Sequence, residues 1–224
     1  MSLTIVLEDY KLGDDPIDKE TFRRFLEERF SYPPCKPEDS GIIECLIDLV
    51  SKHQKESIAT FLLECAMMIS KKFEFKEVSI GLKDKTDGLY KYGVMIGALP
   101  ASQEARKKIA YTLEDMTSDT KYPGFKIGRF SEYCITENPE VEQKAFNRPA
   151  LLNKPRMALD EFLEGDYIDI YMYGGGDELI GWVELAGPKN GKIPDGERLM
   201  WLELAVAIIS RIVWERMYRR ELII

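Results

Sequence analysis

Residues 167–186 read YIDIYMYGGGDELIGWVELA, and this stretch decides the fold. Side chains alternate with a period of two on both sides of the glycines, which predicts two strands, 167–173 and 178–186. Glycines and an aspartate at 174–177 predict a tight hairpin turn between them. A phosphate-binding loop is disfavoured, because such a loop leads into a helix and this one leads into a second strand.

An unusually apolar helix is predicted after this hairpin, beginning at Asp195 and ending near Arg220. Between Leu199 and Trp214 the strongly polar residues are Glu203, Ser210 and Arg211. A helix that is apolar on nearly every side is buried on more than one side. We therefore expect it to pack on its own sheet and also on another helix, namely the 40–72 segment of the same or a second subunit.

A second hairpin is predicted upstream, with strands at 75–83 and 89–98 and a turn that uses the Asp87-Gly88 pair. A helix over 101–116 follows, with Ala105, Ile109, Leu113 and Met116 on its buried side. The segment 119–166 is rich in proline and reads as irregular. Within it we predict a short strand at 126–130 and helical turns at 139–146 and 156–163.

The N-terminal part is predicted to be mostly helical. Residues 4–7 form a short strand, and Asp18 caps a helix whose apolar stripe is Phe22, Phe25, Leu26 and Phe30. The segment 40–72 is one long helix, or two nearly collinear helices with a polar joint at 51–57. We divide the chain into an accessory segment, 1–38, and a main domain, 39–224.

This element order predicts an α+β fold, in which helices flank a central antiparallel sheet and the long N- and C-terminal helices form a bundle. Such a bundle favours a homodimer. The expected interface residues are Ile42, Leu46, Leu49, Leu204, Ile208 and Ile212.

Composition restricts the function. The net charge of −8 over 224 residues argues against direct nucleic-acid binding. No apolar run is long enough to span a membrane, and four widely spaced cysteines read as buried thiols of a reduced compartment, so a cytoplasmic location is expected. His53 is the single histidine, which disfavours Ser/His and Cys/His catalysis and reads as a surface or interface residue.

The strand Asp177 to Leu185, the Gly/Pro/Asn loop after it, the helix start Ile193-Pro194-Asp195 and the long apolar helix resemble the closing half of GAF domains. The resemblance covers about 56–215. It implies a fold similar to PAS domains, a small-molecule pocket between the sheet and the irregular segment, and dimerisation through the terminal helices. It also implies a sensory or regulatory role beside an output domain outside this chain.

The ligand classes of such domains fit this sequence poorly. Lys189-Asn190 reverses the Asn-Lys pair of members that bind cyclic nucleotides, and Ile193 replaces their phenylalanine. Cys134 has no neighbouring histidine for bilin attachment, and His53 lies outside the expected haem pocket. The sulfoxide-reductase members need clustered cysteines. We therefore predict no cofactor and leave the ligand unknown.

Aromatic side chains are the best pocket candidates, because tyrosine and tryptophan supply both apolar area and a polar group. Core filling is the alternative for all of them. Asp169 and Glu184 are expected to be solvated or hydrogen-bonded rather than a metal site, and no metal or catalytic residue is predicted. A ligand-free dimerisation module and, last, an enzyme are the rival functions. The pocket candidates are Tyr92, Phe130, Tyr133, Cys134, Tyr171, Tyr173 and Trp182.

Overall fold

The computed structural model describes residues 16–30, 40–52, 56–118, 120–135, 146–152 and 154–217. The helices are α1 Lys19–Arg29, α2 Ser40–Lys52, α3 Ile58–Lys72, α4 Pro100–Arg106, α5 Leu113–Met116 and α6 Gly196–Met217. The strands are β1 Phe75–Lys83, β2 Tyr90–Ile96, β3 Ala110–Tyr111, β4 Gly124–Lys126, β5 Ser131–Cys134, β6 Tyr167–Tyr173 and β7 Leu179–Pro188. Short 3-10 turns lie at Pro149–Leu151 and Gly175–Asp177.

The strands form one antiparallel sheet in the order β3-β2-β1-β7-β6-β5-β4. Both predicted hairpins are present, as β1–β2 and β6–β7. They join through the central pair β1–β7, in which Phe75 lies opposite Pro188 and Leu82 opposite Gly181. The α+β class and the antiparallel sheet with helices are therefore confirmed.

The two faces of the sheet differ in chemistry, because side chains alternate across a strand. One face is aliphatic and packs against helices; Ile168, Ile170 and Met172 on β6 and Val183 and Leu185 on β7 are all buried in this core. The opposite face carries Asp169 and Tyr171 on β6 and Trp182 and Glu184 on β7. The aliphatic face stabilises the fold, and the polar and aromatic face is left for a site.

Helix α6 packs on the aliphatic face of the sheet and also touches α2 and α3 of its own chain. Its buried apolar side chains include Leu202, Val206, Ile209 and Val213, each at most 1% exposed. Helix α6 is therefore buried on two sides, as its apolar sequence predicts. The sheet covers one side, and α2 and α3 of the same chain cover the other. The bundle with a second subunit stays a prediction.

The N-terminal helix α1 belongs to the same core. Asp18 caps it by accepting a hydrogen bond from the Thr21 amide at 2.9 Å, as predicted. Phe22, Phe25, Leu26 and Phe30 are buried among the residues that α6 and the sheet contribute. Helix α1 therefore packs in one core with the later elements. The division of the chain at residue 38 stays a prediction.

The 40–72 segment is two helices, α2 and α3. Ser57 caps α3, since its hydroxyl accepts from the Thr60 amide at 3.1 Å. His53 and the predicted strand at 4–7 lie outside the described residues, as does nearly all of the predicted helical turn at 139–146.

The predicted helix over 101–116 is wrong. Helix α4 ends at Arg106, and Ala110 and Tyr111 then extend the edge of the sheet by pairing with Lys91 and Tyr90. Backbone groups bonded to β2 cannot continue a helix. A capping box formed by Thr112 and Asp115 starts the short helix α5.

Two predictions in the irregular segment are also wrong. Instead of a strand at 126–130, β4 ends at Lys126 and a turn over 127–130 leads into β5, which begins at Ser131. Residues 156–163 form turns rather than a helix, and Glu161 makes an isolated bridge to Lys192. Hydrogen bonds to distant strands override the local pattern at both places.

No helix in the described part of the chain is long and apolar enough to cross a membrane.

Candidate ligand-binding cavity

A cavity of about 500 Å³ lies on the polar and aromatic face of the sheet. Strand residues form its floor, and α4, α5 and the irregular connections between the strands cover it. The floor and inner walls are formed by Glu77, Tyr92, Glu132, Asp169, Tyr171, Trp182 and Glu184, and the cover includes Arg106, Tyr111, Met116, Tyr122, Phe146, Leu151, Phe162 and Leu163.

Trp182 forms the central aromatic wall. Its ring meets Tyr92 and Tyr111 edge-on, with centroids 5.0 and 5.8 Å away. The ring lies over Gly81, its partner on β1, where a Cβ atom would stand only 2.0 Å from the tryptophan. The glycine therefore permits the ring to lie flat on the sheet.

Arg106 enters the cavity from the end of α4 and is 5% exposed. Its Nη1 donates to Glu184 Oε1 at 2.6 Å and to Ser79 Oγ at 3.2 Å, and its Nη2 lies 3.6 Å from Glu77 Oε2. The hydroxyl of Tyr92 donates to Glu184 Oε2 at 2.6 Å. Burial, and then the Glu184 charge, raises the pKa of Tyr92 well above its usual value, so this hydroxyl remains a donor.

Three carboxylates lie side by side across the floor. The strand register places Glu132 opposite Asp169 and Asp169 opposite Glu184. Glu132 accepts from the Tyr171 hydroxyl at 3.0 Å. Asp169 Oδ1 is sealed from solvent and has no hydrogen-bond donor among the described residues, although the side chain as a whole keeps some exposure to the cavity. Burial, and then Glu184 and Glu132, raises the pKa of Asp169 well above its usual range.

A separate buried cluster holds the irregular cover to the N-terminal helix. Asp166 accepts from the Tyr133 hydroxyl at 2.6 Å, from Arg156 Nη2 at 2.7 Å and from the Leu163 amide at 2.8 Å. The Arg156 guanidinium lies 3.8 Å from the centroid of Phe22 on α1. Each of these donors is satisfied within the chain, so we interpret the cluster as structural.

Helix α6 is bonded directly to the cavity wall. Glu203 Oε1 accepts from the Phe130 amide and from Ser131 Oγ, both at 2.7 Å. Ser210 Oγ donates to the Tyr173 carbonyl at 2.7 Å. Phe130 and Tyr173 both line the cavity, and their rings lie 5.8 Å apart.

Five of the seven predicted pocket residues line this cavity, namely Tyr92, Phe130, Tyr171, Tyr173 and Trp182. Tyr133 and Cys134 do not line it. Tyr133 is fully buried in the aliphatic core beside Phe22, and Cys134 is 3% exposed at the end of β5. Burial, with Asp169 and Glu132 nearby, raises the pKa of the Cys134 thiol well above its usual value, so the thiolate is disfavoured.

The polar floor is the part that sequence reasoning missed. Asp169 and Glu184 were expected to be solvated or hydrogen-bonded; Glu184 is 8% exposed and bonded, whereas Asp169 retains an unpartnered oxygen. The alternation of side chains along β6 and β7 indicates from sequence that Asp169 and Glu184 lie on the same face of the sheet. The sequence does not indicate that Arg106 lies in the cavity, because the predicted helix over 101–116 continues past it, whereas α4 ends at this residue.

The predicted interface residues fall into two groups. Ile42, Leu46 and Leu49 are buried within their own chain, at 4–6% exposure. Leu204 is 45% exposed, and Ile208 and Ile212 are partly buried against the core.

In the described residues, no three Asp, Glu, His or Cys side chains converge as potential metal ligands.

This antiparallel sheet, with helices on one face and a covered cavity on the other, is a GAF-like fold. Structures of several GAF domains match about 80% of the chain. A scan against protein-family models found no match, and a search of curated proteins found none either.

One similar structure is the GAF domain of a predicted sensor histidine kinase from Pseudomonas syringae pv. tomato, at a TM-score of 0.50 and 11% identity, covering 81% of this chain and 88% of that chain. The GAF domain of an Acinetobacter phosphoenolpyruvate-protein phosphotransferase matches at a TM-score of 0.48 and 13% identity, covering 77% and 92%. Substrate-bound fRMsr of Staphylococcus aureus matches at 0.45 and 14%, covering 79% and 97%. At such identities the likeness concerns the fold alone.

Proposed function

We propose that this chain is a cytoplasmic sensory or regulatory domain that binds a small molecule in the cavity above β6 and β7 and dimerises through its helices. The observation that carries the proposal is the covered cavity of about 500 Å³, with an aromatic wall and a few placed polar groups. Small-molecule sites in proteins have this size and composition.

The connection between the cavity and α6 supports a signalling role. A ligand that moves Phe130 or Tyr173 acts on groups that Glu203 and Ser210 hold to the helix. Its binding shifts the helix only by as much as it favours one arrangement over another. Helix α6 therefore provides a route from the cavity to an output domain outside this chain.

Exposed apolar side chains on the helices favour a homodimer. Ile47 and Val50 on α2, Leu63 and Met67 on α3, and Leu204 on α6 are 42–60% exposed. A second copy of the chain is the partner that buries these positions symmetrically.

A binding role is favoured over catalysis. The two fully described buried thiols, Cys65 and Cys134, have pKa values raised by burial, which disfavours a nucleophilic thiolate. Arg106 and Glu184 neutralise each other rather than being presented to a substrate. A ligand-free dimerisation module is the second candidate, and the volume of the cavity argues against it.

Thermal shift and NMR on the purified full chain test the proposal against a panel of nucleotides, amino acids, keto acids, amines and tetrapyrroles. We expect at least one compound to raise the Tm and to shift the indole signal of Trp182, assigned with Trp182→Phe. Ala186→Phe, which fills the cavity from β7, should abolish both effects, whereas Ala150→Phe at an exposed position should not. A panel without any effect would favour the ligand-free module.

A further inference from the structure

The cavity has an excess of negative charge in its interior. Glu77, Glu132, Asp169 and Glu184 are buried or half-buried there, and Arg106 is the one buried cation among the described residues that line it. The other lining cations are exposed at the rim. Two of them already pair with carboxylates that line the cavity, Arg148 with the buried side chain of Glu164 at 2.7 Å and Lys154 with Glu161 at 2.6 Å.

The position of the excess charge is specific. Arg106 contacts Glu184 and Glu77, at the β1 and β7 side of the floor. Asp169 and Glu132 lie farther along the same row, on β6 and β5, where Lys126 at the exposed edge is the next residue in register. Asp169 Oδ1 lacks a donor in the described chain, and a buried acceptor without a donor is costly.

Aromatic rings stand next to this carboxylate row. Tyr171 and Trp182 are directly opposite each other, one step along β6 and β7 from Asp169 and Glu184 on the same face. Tyr92 and Tyr111 continue the wall. Rings of this kind attract cations through their π faces and also pack against apolar groups.

We propose that the cavity binds an organic cation with a primary ammonium group, whose nitrogen lies against Asp169 between Glu132 and Glu184 and whose apolar part packs on Trp182 and the tyrosines. This inference rests on the proposed function and names its ligand class. An ammonium group in the cavity donates to the part of the Asp169 carboxyl that is exposed there, and it balances the excess charge. A metal ion fits less well, because the described carboxylates do not converge on one point.

Binding is coupled to proton release. Asp169 faces Glu132 and Cys134 on β5, Glu184 on β7, Arg106 on α4 and Tyr167 and Tyr171 on its own strand. Its neighbours and its burial favour the protonated acid when the cavity holds no cation. An ammonium ion favours the carboxylate instead, so it displaces a proton, and its affinity rises as pH rises.

The test compares three probes of one shape: 4-phenylbutylamine, 4-phenylbutan-1-ol and 4-phenylbutanoate. Isothermal titration of the full chain at neutral pH should give the amine an affinity at least about tenfold above that of the alcohol, with the carboxylate weakest. Titrations repeated over a range of pH, in two buffers of different ionisation enthalpy, should show net proton release for the amine in the range where Asp169 titrates, and none for the alcohol.

Two variants locate the charge. Asp169→Asn and Glu132→Gln, each nearly isosteric, should each weaken the amine about tenfold and change the alcohol less than about threefold. Glu178→Gln, an exposed carboxylate beyond the β6–β7 turn, should change neither. The indole signal of Trp182 reports that each probe occupies the cavity.

The outcomes are distinct from those of the proposed function. If the alcohol or the carboxylate shifts the Trp182 signal and binds as tightly as the amine, the cavity is a ligand site and the cation inference is wrong. If no probe binds, the cation inference is also wrong, and the metabolite panel still decides the proposed function. An affinity for the amine that is unaltered in both floor variants would overturn the inference as well.

Discussion

At the scale of single residues, Asp169 is the position at which the proposed binding of a cation and the stability of the fold have opposite requirements. Its carboxyl lies between two other carboxylates and has an oxygen with no donor in the described chain. Its pKa is raised by burial first and by Glu184 and Glu132 next. A folded-state pKa above the unfolded value of about 3.9 means that the folded chain binds the proton more tightly.

We predict that Asp169→Asn stabilises the folded chain at neutral pH. Stability of the parent chain falls as pH rises from the unfolded pKa to the raised folded pKa, and the whole penalty is present above that pKa. An amide does not titrate, so Asp169→Asn avoids this penalty. Urea unfolding at several pH values should show a stabilisation that vanishes near pH 3. An equal effect at all pH values would contradict this account.

The residues of the site differ in how far the sequence predicts them. Tyr171 and Trp182 follow from strand alternation in a hairpin with a clear turn, and both line the cavity. The burial of Asp169 and Glu184 does not follow, because it depends on a cover built from distant segments. Isolated carboxylates on a strand are usually solvated, and that expectation holds only where nothing covers the strand.

At the scale of elements, helix α6 has buried polar residues that bond it to the sheet. Glu203 is 6% exposed and accepts from the Phe130 amide and the Ser131 hydroxyl of the β4–β5 turn. The turn also approaches the helix closely, since a Cβ on Gly128 would stand 2.3 Å from Glu203 Oε1. The sequence marks Glu203 merely as an interruption of an apolar helix, because its partners lie about 70 residues away.

Glu203→Ala should lower the free energy of unfolding by about 2–4 kcal/mol, because it leaves two donors near α6 without their charged acceptor. Denaturant titration with a fluorescence readout measures the loss. Glu197→Ala, at an exposed position in the first turn of the same helix, should change stability by less than about 0.5 kcal/mol. Equal losses in the two variants would show that the hydrogen bonds to the turn are unimportant.

The hairpins were predictable and the irregular segment was not, for a physical reason. The β6–β7 turn needs its glycines, since Gly176 has a φ of +70° and a Cβ on Gly174 would stand 2.2 Å from the Trp214 ring. The run of glycines that permits the positive φ is visible in local sequence, whereas the approach of Trp214 is not. Strand β3, in contrast, exists because Ala110 and Tyr111 pair with Lys91 and Tyr90 of β2. The local sequence around Ala110 has a helical pattern and does not indicate this pairing.

At the scale of the whole molecule, the outer faces of α2, α3 and α6 are expected to form the dimer. Sedimentation velocity at micromolar concentration should give a mass near twice 25.8 kDa. The double variant Leu63→Glu and Met67→Glu introduces charge on the outer face of α3 and should weaken the dimer at least about tenfold. Leu99→Glu, 55% exposed at the start of α4, serves as the control. A parent chain that sediments as a 25.8 kDa monomer would refute the dimer.

The central pair β1–β7 has a kinetic consequence. Each hairpin closes locally, but the strands that unite them are separated by β2 to β6 and by the whole irregular segment. Closing so long a loop costs entropy before any ladder bond forms, and proteins dominated by distant pairings fold slowly. Neither half of the chain buries the aliphatic face alone, so during synthesis the sheet has to wait for β7 to leave the ribosome.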